Sequence, residues 1–247
     1  MYLKTDGLVL REVPYNDTDK LLTVLTREHG KMTLRARGVN RKKSQLVPAC
    51  QLLAFSEFTV FENRGYHTIN EAQTKSMFLG LRSDLELLSL ASYFAQVAEI
   101  LSQEDFPNPQ LLSLTLNAMY ALETLKKSQL LVKAAFELRA ACLAGYTPQL
   151  SGCAVCGNPA PDRFNVRHGI LQCAACQSAD MDGLRMPVDQ GLLMAMHYIV
   201  LSEAGKLFSF TLSEEALRRL SELTETYLAT QLERGFYTLD FYKSLFL

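Results

Sequence analysis

The hydrophobic period of this 247-residue chain changes near Gly80. Before it, short runs alternate apolar and polar residues, the period of strands; after it, apolar residues recur three and four apart, the period of helices. Strand-type runs occupy residues 3–13, 21–26, 31–37, 52–62 and 66–73. Turn chemistry separates them at Pro14-Tyr15-Asn16-Asp17, at His29-Gly30, over 38–48 and at Asn63-Arg64-Gly65. Five short strands in this length suggest a small closed barrel. The five-stranded oligonucleotide-binding (OB) barrel fits the count, and an SH3-like barrel fits it equally.

Beyond Gly80, Ser83 and Glu86 form a capping box, and Leu85, Leu88, Ala91, Ala95, Ala98 and Leu101 follow at helical spacing. Pro107 and Pro109 break that helix. Further helices are expected over 110–126, over 128–144 with a stop at Gly145 and Pro148, over 189–201 and over 213–234. The fold class expected is therefore α+β. A barrel domain covers 1–80 and a helical domain 81–247, with a cysteine-bearing insertion at about 149–186. An apolar content of 48% is ample for both cores.

Charge is distributed unevenly. Arg27, Lys31, Arg35, Arg37, Arg41, Lys42 and Lys43 crowd one stretch in which Glu28 is the only acid, although the whole chain has a formal net charge of -1. Such a local excess costs self-repulsion and points to an anionic partner, nucleic acid first. Strict alternation from Lys31 to Arg37 puts Lys31, Thr33, Arg35 and Arg37 on one strand face and Met32, Leu34 and Ala36 on the other. The apolar face enters a core and the basic face forms an outward row. A solvated edge strand protected by charge is the competing reading, against which the abundance of arginine weighs. The barrel aromatics Tyr15, Phe55, Phe58, Phe61 and Tyr66 are placed by alternation mostly in the core.

Cys153-Ala-Val-Cys156 and Cys173-Ala-Ala-Cys176 are separated by 16 residues, within the spacing of a tetrahedral zinc site. The spacer reads as a hairpin, with Phe164-Asn165-Val166 and Ile170-Leu171-Gln172 flanking Arg167-His168-Gly169. Four thiolates leave one Zn2+ no open position, so the site is structural. His168 reads as a turn residue rather than a substitute ligand. Cys50 and Cys142 stand alone as small buried groups.

Signatures of catalysis are missing. There is no phosphate-binding G-x-x-x-x-G-K-[ST], no G-x-S-x-G, no G-x-G-x-x-G and no H-E-x-x-H, so no enzymatic activity is expected. Asp17 and Asp19 read as turn residues rather than a nuclease metal pair. No apolar run reaches about 18 residues and the first residues do not resemble a secretory signal. A cytoplasmic, nucleoid-associated location is expected, with no membrane partner.

Three segments carry a resemblance: 15–22 (Tyr-Asn-Asp-Thr-Asp-Lys-Leu-Leu), 25–31 (Leu-Thr-Arg-Glu-His-Gly-Lys) and 35–44 (Arg-Ala-Arg-Gly-Val-Asn-Arg-Lys-Lys-Ser). With the helical middle, the cysteine quartet and the closing Tyr242-Lys243-Ser244-Leu245-Phe246-Leu247, they closely resemble the RecO family of bacterial recombination and repair mediators. The resemblance implies an OB barrel and a helical domain carrying a zinc module. It also implies binding of single- and double-stranded DNA, annealing of complementary strands and contact with single-stranded-DNA-binding protein (SSB). Cooperation with RecR and RecF to help RecA load is implied as well. DNA contacts are expected at Lys31, Arg35, Arg37, Arg41, Lys42 and Lys43, with Arg11, Lys20 and Arg27 weaker, and metal ligation at Cys153, Cys156, Cys173 and Cys176. Two other classes remain open: a general RNA- or DNA-binding barrel with a zinc ribbon, and a scaffold whose basic loop docks an acidic protein tail.

Overall fold

A computed structural model describes residues 1–176 and 182–246. The chain forms two compact units, Met1–Thr124 with Phe236–Leu247, and Leu125–Gly235.

In the first unit, β1 (Tyr2–Pro14), β2 (Lys20–Thr26), β3 (Lys31–Ala36), β4 (Phe55–Asn63) and β5 (Tyr66–Ser76) close into a barrel in the order β1-β2-β3-β5-β4. The β3–β5 pairing is parallel, with Leu34 opposite His67 and Arg35 opposite Thr68, and the other pairings are antiparallel. This is the Greek-key arrangement of the OB barrel, so the connectivity decides what the strand count could not. One long strand serves two neighbours: residues 2–8 of β1 pair with β4 and residues 7–14 with β2, with a bulge between Val9 and Arg11. Gly7 sits where both pairings overlap, and a Cβ there would lie 2.4 Å from Val24 Cγ1.

The alternation seen in the sequence becomes the barrel core. Val9, Leu22, Val24, Met32, Leu34, Phe58, Val60 and Ile69 are buried together, and Val39 and Cys50 from the β3–β4 connection join them. Each large side chain so buried contributes about 1.5–3 kcal/mol.

The helices of this unit are α1 (Leu79–Arg82), α2 (Leu85–Leu101), α3 (Pro109–Glu123) and, after the second unit, α7 (Tyr237–Ser244). The cap of α2 is Asp84 rather than Ser83: the Asp84 carboxylate accepts from the N–H groups of Glu86 and Leu87, while Ser83 Oγ donates to the Gly80 carbonyl. Asp84 is extended and Ser83 is helical, and only an extended residue can turn its side chain onto the first free N–H groups. Pro109 starts α3 instead of merely ending its predecessor, because its fixed φ and missing N–H suit the first helical position.

The second unit holds α4 (Gln129–Leu143), α5 (Gln190–Leu201) and α6 (Glu214–Gln231) with a small sheet. Its strands are β6 (Gln149–Cys153), β7 (Arg163–Asn165), β8 (Ile170–Gln172) and β9 (Arg185–Pro187), in the order β6-β8-β7-β9. The β7–β8 pair is the hairpin expected in the cysteine spacer. Between α4 and α6, Lys133 and Glu137 are buried, Glu137 and the half-buried Glu225 each lie 2.8 Å from Lys133 Nζ, and Thr224 donates to Glu137. Burial pushes the Glu137 carboxyl up, and the Lys133 ammonium opposes it. Among the described residues, no helix is long and apolar enough to cross a membrane.

Candidate nucleic-acid interface and metal centre

Alternation turns the outer face of β3 away from the core: Met32, Leu34 and Ala36 are buried, Thr33 is exposed, and Lys31 and Arg35 are half-buried. Above this face lies an open groove of about 1000 Å³, lined among others by Tyr15, Lys31, Thr33, Arg35, Tyr66 and His67. Tyr15 comes from the β1–β2 turn and Tyr66 from the start of β5, after the Arg64-Gly65 turn. These two turns and strands β2 and β3 are the parts with which OB barrels hold oligonucleotides. Tyr15 is 55% and Tyr66 79% exposed, whereas Phe58 is fully buried. The expectation that most barrel aromatics face inward therefore fails: Tyr15 and Tyr66 sit at turns, and the alternation of β4 that buries Phe58 turns Phe61 to the exposed face and leaves Phe55 half-buried.

The nine candidate cations divide by what they already hold. Arg35 donates through Nε and Nη2 to Asp19 at 2.9 and 2.6 Å, and its guanidinium lies 4.9 Å from the centre of the Tyr15 ring. Lys31 Nζ donates to the Glu99 carbonyl at 3.1 Å. Arg11 pairs with Glu99 at 2.9 Å, Lys20 with Glu12 at 3.0 Å and Arg27 with Asp6 at 3.9 Å. Arg37, Arg41, Lys42 and Lys43 are exposed. Among the described residues, their side chains meet no carboxylate.

Asp19 organises this end of the barrel. Its buried carboxylate holds Arg35 and also accepts from the Gly38 N–H at 2.8 Å and Thr18 Oγ1 at 2.9 Å. The Asn40 N–H donates to the Thr18 carbonyl, so the basic loop begins pinned to the β1–β2 turn. The Gly38 N–H and the Arg35 guanidinium hold the Asp19 carboxyl well below the usual carboxylate range. Gly38 turns the chain at φ 66°, a conformation glycine adopts without strain. Reading Asp19 as a turn residue was right about its place but missed its role. Its partner Arg35 lies 16 residues on, so no local signal in the sequence joins the two.

In the second unit, the parallel β6–β8 pairing sets Cys153 opposite Leu171 and so brings the two cysteine pairs side by side. The Sγ atoms of Cys153, Cys156, Cys173 and Cys176 all lie within 4.8 Å of one another. The Cys156–Cys173 separation is 3.8 Å, and a tetrahedral ion with bonds of ~2.3 Å requires sulfurs ~3.8 Å apart. Gly157 takes φ 73° as the first knuckle closes, its N–H donating to the Cys153 carbonyl. The Cys173 N–H donates to Cys153 Sγ and Asn158 Nδ2 to Cys173 Sγ.

Burial pushes the Cys153 thiol up, but the N–H groups of Cys156, Val155 and Cys173 outweigh it and bring it down to about 6. Cys176 is pushed up to about 12, first by the hydrogen bond with Cys156 and then by burial. One thiolate thus forms readily while hydrogen bonding and burial hold Cys176 as the thiol, a balance that a bound dication would shift toward thiolate. The donor set fits a soft tetrahedral metal ion. His168 lies outside the cluster in the β7–β8 turn, its ring 3.5 Å from Asp182. Cys50 is buried in the barrel and its thiol is pushed up to about 12 by that burial.

Two family models match the chain: Recombination protein O N terminal over residues 1–78 and Recombination protein O C terminal over residues 82–240. A protein of Acetivibrio thermocellus named DNA repair protein RecO is 34% identical over 247 residues, covering 99% of this chain and 97% of the relative. Like-named proteins of Rubrobacter xylanophilus and Alkaliphilus metalliredigens are 31% and 27% identical, covering 88% and 99% of this chain and 88% and 100% of their own lengths. The chain belongs to the Recombination protein O family and, with it, to DNA repair and recombination.

Proposed function

We propose that this chain is a non-catalytic mediator that binds single- and double-stranded DNA through its barrel and anneals complementary strands, including strands coated by SSB. The observation that carries this reading is that Arg37, Arg41, Lys42 and Lys43, exposed and without a carboxylate partner among the described residues, follow directly on β3, whose Lys31 and Arg35 line an open groove carrying exposed tyrosines. Two strands repel as they approach, and a surface that neutralises phosphates on both lowers that repulsion while leaving bases free to pair. SSB, RecR, RecF and RecA enter the reading through the family resemblance. One Zn2+ held by Cys153, Cys156, Cys173 and Cys176 is part of it, as a closed structural ion.

The test is the annealing rate of complementary SSB-coated oligonucleotides, with and without the protein and without nucleotide. Acceleration supports the reading; no acceleration, with naked strands still bound, reduces it to a general nucleic-acid-binding module. Contact with four to six phosphates corresponds to a slope of log affinity on log salt of roughly -3 to -4 for single strands. A flat salt response removes the neutralisation mechanism.

A further inference from the structure

The groove and the basic loop offer different chemistry to a nucleic acid. In the groove, Lys31 and Arg35 are already engaged by the Glu99 carbonyl and the Asp19 carboxylate, which leaves little free positive charge. What the groove presents instead is ring surface. Tyr66 is 79% exposed, and Tyr15, with Arg35 stacked against it, is 55% exposed. Glu104 and Asp105 line the same groove, and the Lys31 N–H donating to the Gln103 carbonyl fixes their segment beside the start of β3. The loop at the other end of β3 is the reverse, with four cations that meet no carboxylate among the described residues and no aromatic ring between Arg37 and Lys43. The groove, where Glu62 of β4 is a third acid, is therefore acidic, and the loop that follows the six residues of β3, about 20 Å of strand, is basic.

We propose that the groove takes a single strand by its bases, stacked on Tyr15 and Tyr66, while the 37–43 loop takes phosphates of either a single strand or a duplex. This inference rests on the nucleic-acid reading above and divides it between two surfaces. A duplex keeps its bases stacked inside and offers the tyrosines nothing, so it uses the loop alone. A single strand uses both, and acids at the far end stop its phosphates there, so the occupied length is on the order of 4 nucleotides, the low end for an OB barrel. Annealing then has a geometry: one strand is held by bases in the groove while the loop draws in the backbone of the second.

The experiment compares the full chain with Tyr66→Leu and Tyr66→Phe on three labelled probes: a 16-nucleotide thymidine strand, an abasic strand of equal length and a 20-base-pair duplex, each over a range of salt. Tyr66 is chosen because it makes no ring contact to another side chain among the described residues, whereas Tyr15 braces Arg35. The unaltered chain is expected to bind the thymidine strand at least about tenfold more tightly than the abasic one. Tyr66→Leu should remove about tenfold of affinity for the thymidine strand, leave the other two probes within about twofold and keep the salt slope; Tyr66→Phe should restore binding. Equal losses on all three probes, or no loss on any, overturn the division of labour while leaving nucleic-acid binding standing. Failure of the unaltered chain to bind any probe overturns both readings.

Discussion

The barrel and the four-cysteine sheet are both small β structures, and they are held by different forces. Nine- to thirteen-residue strands such as β1, β4 and β5 enclose a cluster in which Leu22, Val24, Leu34, Phe58 and Val60 have no exposed surface. The sheet of the second unit has three- to five-residue strands, and its buried apolar groups Phe164 and Leu171 are few. Phe164 packs edge-on against Tyr227 of α6 at 5.2 Å, and Gln231 donates to the Val166 carbonyl. What remains around 154–160 is exposed chain converging on sulfur. Side-chain volume specifies the barrel; in the sheet the chain converges on four sulfurs within 4.8 Å of one another. The two should fail under different insults.

The sharpest break of this comparison is at the thiols. Cys153→Ser or Cys173→Ser is expected to release a full equivalent of metal and to expose the amides of β6 to β9 to hydrogen exchange, with the barrel amides unchanged. Structural zinc sites hold about 10–16 kcal/mol in isolated fingers, so nothing in so small a sheet compensates. Retention of the metal by both variants, read by elemental analysis, removes the metal from the account. In the barrel the corresponding change is Phe58→Ala, expected to cost about 3–5 kcal/mol because a fully buried ring leaves a cavity. Denaturant unfolding measures it, and metal content should not move.

This difference also explains what could be read in advance. Strands β1 to β5 were legible because a buried core imposes alternation, and the cysteine spacing was legible because tetrahedral ligation restricts it. The short helices α1 and α7 were not: α7 has no capping side chain in its first turn and spans eight residues, so its order comes from packing, with Tyr93 against Phe236 and Gln96 bonded to Thr238. The buried Lys133–Glu137 pair, with Glu225 at its edge, was hidden for another reason. Its partners lie on two helices far apart in sequence, and i,i+4 charges usually mark a solvated face. At the candidate interface, the basic residues were plain in the sequence, but which were free and which were engaged was not. That division depends on Asp19 and Glu99, whose contacts to Arg35, Lys31 and Arg11 span 16 residues or more.

Asp19 tests whether the barrel is held by volume alone. It resembles Cys153 in being an anion fixed by N–H donors. Its folded pKa lies below the ordinary value of 3.8, so its carboxylate favours the folded state. That contribution is fully present above the ordinary carboxylate range and is lost as pH falls through the folded value. Asp19→Asn should therefore be less stable at neutral pH and lose stability less steeply below about pH 4. Parallel acid-unfolding curves for the two proteins would show that Asp19 is incidental and that core volume suffices.

The smallest effect on folding, and the most informative for binding, is expected at the loop. Arg41, Lys42 and Lys43 are exposed and touch no carboxylate among the described residues, so changing all three to Gln should leave stability within about 0.5 kcal/mol. The same change removes up to three phosphate contacts, which makes the salt slope for single strands shallower by about 2. Arg35→Gln is the contrasting variant. It removes the partner of a buried carboxylate, so it should disturb the barrel before it disturbs DNA, and Arg35→Glu more so, since it sets two carboxylates together. If the loop variant kept the full salt slope while Arg35→Gln stayed folded and lost it, the phosphates would lie along the face of β3. Charge on that face would then be doing what the loop is assigned here, and Asp19 would be a competitor of DNA for Arg35 rather than its anchor.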